Sequence, residues 1–393
     1  MKRFICLTLA LMLACTCILT LSSCGNKSGD KVIKIGVYEP ASGSNGPGGK
    51  QETLGVIYAH SIQNTIEIGG ETYKIELVEV DNQSDNAKGI TAASELVNKG
   101  VSVVLGSYGS GVSIAASPTF EEAGVAAIGI TCTNTQVTAG NKHYFRICFL
   151  DDFQGAVLAK KAWDDGAKVA YTLAEAGNPY DLGLTSSFKT AFEKLGGKVI
   201  AENFTTGTAD FTSFVTNAVK GEADVMFAPT SIEYAQLIIK AVSAQGANIP
   251  LLAGDTWDSN VILNAAKGTN VSIEVTTFYQ EGANAEFDSG FKAWLNAAGN
   301  EKYLTANGGN DIISAVSAMG YDAYFTALEA IKAAGSADRA AIKQALWGVE
   351  FKGVTGNIKF EQVNGDADRN IAYIKKANNT TGLWEFVKEQ GIG

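Results

Sequence analysis

Three short segments carry side chains that could hold a small charged solute, and each follows an apolar run. Residues 250–254 lead into Asp255-Thr256-Trp257-Asp258-Ser259. A carboxylate in such a place can bind an ammonium group, and an aromatic face beside it can add cation–π attraction. The same acids could instead cap a helix over 261–266. We expect both roles, with Asp258 or Ser259 capping and Asp255 facing a cleft. Residues 101–105 lead into Gly106-Ser107-Tyr108-Gly109-Ser110-Gly111. Ser110 stands where a helix would begin. A serine with free backbone N–H groups there suits a carboxylate, and it equally suits an ordinary helix cap. Residues 126–130 lead into Thr131-Cys132-Thr133-Asn134-Thr135. Its hydroxyls could bond a polar ligand, or Asn134 could simply hold a turn.

Covalent chemistry finds little support. His60 and His143 are the only two histidines, and they are far apart, so a His-rich metal site or metalloprotease motif is unavailable. No Gly-x-Ser-x-Gly turn comes with a workable His partner. The glycines at 106–111 lack both the spacing and the Lys-Ser/Thr ending of phosphate loops. A glycosidase is disfavoured rather than excluded, because no carboxylate is singled out as a proton donor. Lys plus Arg number 31 against 41 Asp plus Glu, a net charge of −10. Such an acidic chain is a poor candidate for nucleic acid. No cofactor or metal is indicated, and the chain reads as a binder rather than an enzyme.

Open α/β sheets bind ligands beyond the carboxyl ends of their strands. The apolar patterning supplies such strands at 32–38, 74–81, 101–106, 126–130, 168–173, 198–204, 223–228 and 250–254. Helical spacing falls between them at 51–66, 87–98, from about 110, 182–195, 211–219 and 231–245. Further on come helices over 312–334 and 337–347 and strands over 358–360 and 370–375. This alternation predicts two α/β lobes with parallel-rich sheets flanked by helices. The length, 393 residues, exceeds what one core usually supports, and 46% hydrophobic with 18% charged residues is a globular composition.

The start of the chain is a separate object. Lys2 and Arg3 precede an uncharged apolar run over 5–21, which ends in Leu21-Ser22-Ser23-Cys24 and a polar, Gly-containing stretch to Asp30. A positive start, an apolar core and a small-residue cut site describe a secretory signal. The Leu-Ser-Ser-Cys end resembles the bacterial lipobox. That resemblance implies a signal peptide over 1–23, lipid on Cys24, a tether over 24–30 and an extracytoplasmic, lipid-anchored protein. Cys6, Cys15, Cys17 and Cys24 fall in this leader, leaving Cys132 and Cys148 in the body. Two buried thiols or one bridge are both open to them.

The body, over about 31–375, resembles the branched-chain amino acid-type substrate-binding proteins of ABC importers. These form the leucine-binding-domain family of type I periplasmic binding proteins. The stretches that carry the resemblance are Ile33-Lys34-Ile35-Gly36-Val37, Asp81-Asn82-Gln83-Ser84-Asp85, Glu121-Glu122-Ala123-Gly124-Val125 and Tyr144-Phe145-Arg146. Asp151-Asp152-Phe153-Gln154-Gly155, Gly254-Asp255-Thr256-Trp257-Asp258-Ser259 and Gly353-Val354-Thr355-Gly356 complete them. The family implies two lobes joined by three crossovers that close on an amino acid, with lobe one over 31–149 and 280–353 and lobe two over 150–279 and 354–393. It implies that Ser110 and the backbone at Thr133 bind the ligand carboxylate. The Thr131 carbonyl, the Thr133 hydroxyl and Asp255 would bind its ammonium, and Tyr180 would close over it. Trp257 and Phe278 or Tyr279 would wall the side-chain pocket. An ABC permease would receive the solute. A sensor of the same fold, or a surface hydrolase, is the alternative. Gly48 and Ser231 stand where the family has aromatic residues, and Cys132 replaces a usual Ala. Those departures imply a roomier or more polar pocket, and so a larger or aromatic amino acid besides the branched-chain ones.

Overall fold

The computed structural model describes residues 31–392. The signal segment, the tether and Cys24 lie outside them.

The first sheet is built from β1 (Lys31–Glu39), β2 (Thr65–Ile68), β3 (Glu71–Asp81), β4 (Val103–Leu105), β5 (Ala126–Gly129) and β6 (Tyr144–Arg146), in the order β2-β3-β1-β4-β5-β6. β1, β4, β5 and β6 run parallel. Helices α1 (Gly46–Ile62), α2 (Asn86–Asn98) and α3 (Ser110–Glu122) connect these strands. β4 reads Val-Val-Leu and is buried on both faces, as a central parallel strand should be.

The second sheet takes β7 (Val169–Glu175), β8 (Lys198–Phe204), β9 (Val225–Phe227), β10 (Leu251–Ala253) and β11 (Ile273–Thr277) as a parallel set. Its helices are α4 (Asp151–Asp164), α5 (Pro179–Lys194), α6 (Thr212–Lys220), α7 (Ile232–Gln245) and α8 (Asn260–Ala266). The chain then returns to the first sheet through α9 (Ala285–Leu295), α10 (Glu301–Ala306), α11 (Ala315–Ala334) and α12 (Arg339–Leu346). The hairpin of β12 (Glu350–Gly353) and β13 (Gly356–Lys359) follows. β14 (Ala372–Asn378) and β15 (Leu383–Gln390) finally extend the second sheet antiparallel at β11. The architecture is two α/β halves joined by three crossings. These fall between β6 and α4, between β11 and α9, and between β13 and β14.

α11 packs on α1 at backbone distance. A Cβ at Gly55 would lie 1.8 Å from the Ser317 carbonyl oxygen, and one at Gly320 would lie 2.2 Å from that of Glu52. Only glycine permits that approach. The Ser317 hydroxyl seals it by donating to the Gln51 carbonyl at 2.7 Å. The crossing therefore fixes the stretch of α1 that carries Gln51 and Glu52.

The third crossing stays with the first sheet for some distance. Asp322 on α11 accepts from the N–H groups of Val354 and Thr355 at 2.9 and 2.8 Å. Phe360 packs edge-on against Phe145, and Asp366 forms an isolated parallel bridge with Arg146. At the other two crossings Phe149 and Phe278 pack with ring centroids 4.2 Å apart.

The helix expected over 51–66 begins five residues earlier and ends at Ile62. Pro47 sits in its first turn, where a missing N–H costs nothing. Ile66 belongs to β2, paired with Tyr73. β2, β6, β11, β12, β15, α4, α9 and α10 add to the expected elements. Cys132 and Cys148 are buried and unbridged.

Candidate functional site

The carboxyl ends of the two parallel sets face one another across a cavity of about 470 Å3. Ser110, Tyr180 and Ser231 line it, together with Tyr108 and Thr256. Asp255 lies one hydrogen bond behind that lining and is buried. Its Oδ1 accepts from Tyr180 Oη at 3.1 Å and from Gln154 Nε2 at 2.7 Å. A carboxylate held by two neutral donors keeps its charge available, while burial pushes its pKa up to about 6. Ser259, not Asp258, caps α8, accepting from the Val261 N–H at 3.3 Å. Asp258 is instead ion-paired to buried Lys375 at 3.0 Å.

Ser110 does not cap α3. Gly109 holds the cap position, and Ser110 Oγ accepts from the Asn134 N–H at 3.1 Å, joining the two loops. Asn134 caps the next turn by accepting from the Gln136 N–H at 2.9 Å. Thr131 and Thr133 are buried beside it. The Thr131 hydroxyl donates to Glu52 Oε2 at 2.5 Å. The Thr133 hydroxyl lies by Asp151, and both carboxylate oxygens of Asp151 lack a hydrogen-bond partner. Arg146 fixes the loop from behind. Its guanidinium donates to the carbonyls of Cys132 and Asn134 and pairs with Asp366 at 2.8 Å.

Trp257 is buried in the core of the second half, and its indole N–H donates to the Thr230 carbonyl at 3.0 Å. Phe278 sits against Phe149 at the crossings. Neither ring belongs to the cavity lining, and nor do Thr131, Thr133 and Asp255. The Ser231 hydroxyl is buried without a partner. At Gly48 the expected loss of an aromatic wall is made good, since a Cβ there would lie 2.5 Å from Cζ of Tyr108. The cleft is therefore not widened on that side.

Direct bonds join the two halves around the cavity. Tyr108 Oη donates to the Thr256 carbonyl at 3.0 Å, and Asn134 Nδ2 donates to the Pro179 carbonyl at 2.7 Å. Ser259 Oγ donates to Gln51 Oε1 at 3.1 Å.

Sequence reading missed two buried acids on the first half. Glu39 ends β1 and accepts from the Tyr108 N–H at 2.7 Å. Glu52 lies beside it, and burial pushes its pKa up to about 8. The signal was present as a glutamate closing the apolar run Ile35-Gly36-Val37-Tyr38 and another on the buried face of α1.

Among the described residues there is no group of acids, Cys or His placed to hold a metal ion. No helix among them is long and apolar enough to cross a membrane.

These features define a two-lobed solute binder, and the family model for periplasmic binding proteins matches residues 32–381. The chain belongs to that family. It is 27% identical over 369 residues to the Leu/Ile/Val-binding protein homolog 1 of Brucella melitensis, covering 93% of this chain and 95% of that one. The crystal structure of a leucine binding protein, LivK, from Thermotoga maritima is similar with a TM-score of 0.81 and 28% identity, covering 91% of this chain and 99% of that one. The branched-chain amino acid transporter substrate binding protein LivJ of Streptococcus pneumoniae, solved with isoleucine, shares the fold. It has a TM-score of 0.77 and 24% identity, with 92% of this chain and 99% of that one covered.

Proposed function

We propose that this protein is an extracytoplasmic solute-binding lipoprotein that captures an amino acid by lobe closure and delivers it to an ABC importer. The observation that carries the reading is Asp255, a buried carboxylate at the end of β10, held by Tyr180 and Gln154 behind a cavity shared by both halves. Such a group suits an α-ammonium. Ser110, in the cavity lining, and the backbone of the neighbouring Thr131–Thr133 loop belong to the first half and suit the α-carboxylate. The bonds from Tyr108 to Thr256 and from Asn134 to Pro179 exist only when the halves meet, so they favour closure together with a ligand touching both.

The lobes divide as the chain crosses, near 149 and near 280. The last crossing lies nearer 369 than 354, because Phe360 and Asp366 bond to the first half. The lipobox-like end at Cys24 supports lipid anchoring. Metabolic labelling with an acyl chain should mark the protein and fail on Cys24→Ala.

Calorimetry of the unfolded and refolded chain against the proteinogenic amino acids tests the main reading. One of them should bind, and Asp255→Ala should abolish that binding while the variant still melts cooperatively. Binding that survives in Asp255→Ala would sink the assignment.

A further inference from the structure

More buried carboxylates lie behind the cleft lining than a neutral amino acid can answer. Four carboxylates, Glu39, Glu52, Asp151 and Asp255, are each at most 3% exposed. Among the described residues none of them forms an ion pair with Lys, Arg or His. Arg146 acts on Asp151 but is already bonded to Asp366.

Glu39 and Glu52 are side by side on the first half, near enough for the Asp255 carboxylate to act on Glu52. Glu39 uses Oε2 on the Tyr108 N–H, and Glu52 uses Oε2 on the Thr131 hydroxyl. The remaining oxygen of each, Oε1, is buried without a partner. Pro40, next to Glu39 in the chain, and Tyr108 both line the cavity. Two further acceptors are buried and unpartnered on the facing half. They are Ser231 Oγ in the lining and Gln154 Oε1, on the side chain that holds Asp255. Buried acceptors without donors are costly, and a charged donor answers several at once.

We propose that the solute is a basic amino acid, its side-chain ammonium or guanidinium seated on Glu39 and Glu52 while Asp255 takes the α-ammonium. This rests on the amino-acid reading above. One carboxyl pair and one aspartate then face two separate positive groups on a single ligand. The competing arrangement is a proton shared between Glu39 and Glu52, which needs no second cation.

Titration calorimetry of the refolded chain with lysine, ornithine, arginine, leucine and phenylalanine separates these. At least one basic amino acid should bind tenfold or more tightly than leucine and phenylalanine. In Glu39→Gln that preference should shrink tenfold or more, and Glu52→Gln should repeat the result if Glu39→Gln melts abnormally. Leucine or phenylalanine binding as tightly as every basic amino acid overturns the proposal and leaves the amino-acid reading standing. So does a basic preference unchanged in both variants. No binding of any amino acid by a chain that melts cooperatively overturns both.

Discussion

The ring of Tyr108 occupies the space that a side chain at Gly48 would need, with a built Cβ only 2.5 Å from its Cζ. An aromatic wall is thus supplied from the end of β4 rather than from α1, and the same Tyr108 reaches across to Thr256. Replacing Gly by Ala inside a helix ordinarily stabilises by about 0.5–1 kcal/mol. Here Gly48→Ala should destabilise by about 1–3 kcal/mol through overpacking. The loss should largely vanish in a Tyr108→Ala background, which a double-mutant cycle by urea denaturation measures.

Protonation should act in opposite directions on stability and on binding. Burial raises Asp255 from 3.8 to about 6 and Asp151 from 3.8 to about 8. The folded chain therefore favours their protonated forms. Their stabilising contribution is full below the ordinary value near 3.8 and is lost as pH rises through about 6 and about 8. The slope is at most about 1.4 kcal/mol per pH unit for each group. Ligand-free melting curves should show Asp151→Asn losing less stability than the parent between pH 5 and 8. Amino-acid affinity should fall as pH drops below about 6, because the α-ammonium needs Asp255 ionised.

Arg146 and Asp366 make a buried pair that also holds the Cys132 and Asn134 carbonyls. Removing one partner leaves a charge buried alone, at a cost of about 3–5 kcal/mol. Asp366→Ala should show that loss in denaturant. It should also weaken ligand binding more than ten-fold, since the loop carrying Thr131 and Thr133 loses its anchor. Calorimetry at a temperature where the variant is fully folded reads the second effect alone.

Cys132 and Cys148 are fully buried, and burial pushes the Cys132 thiol up to about 11. Neither should react with a thiol reagent in the native chain carrying residues 31–393, and both should react on denaturation. A single reactive step of two thiols, with no mass change on prior reduction, is the expected result.

The parallel frame was readable because its signals are local. Runs such as Val103-Val104-Leu105 and Leu251-Leu252-Ala253 are short and wholly apolar, and helices with periodic faces lie between them. Asp255 was legible for the same reason, standing directly after such a run. Ser110 was legible in position but not in role. Its choice between a helix cap and a bond to Asn134 depends on a loop twenty-four residues away. The early start of α1 was hidden by Gly46, Gly48 and Gly49, which read as loop. Gly48 must lack a side chain because of Tyr108, a partner distant in sequence, and Gly49 because of Pro40. Trp257 looked like a pocket wall because it neighbours Asp255, yet the adjacent side chain points into the core toward Thr230. β15 has five exposed positions among its eight residues and carries little apolar periodicity.

The close seat of α11 on α1 also sets an order of events during synthesis. The strands of the first sheet leave the ribosome early, yet the helices that cover them, α11 and α12, are made only after the whole parallel set of the second. Until then the nascent chain carries an uncovered apolar sheet face and cannot complete its early half. Such dependence on distant segments slows folding. A chain that must be threaded across a membrane before it folds gains time from that delay. A product truncated after β11 would be stranded with Leu54 and Val56 exposed, a substrate for aggregation or proteolysis rather than a half-working binder.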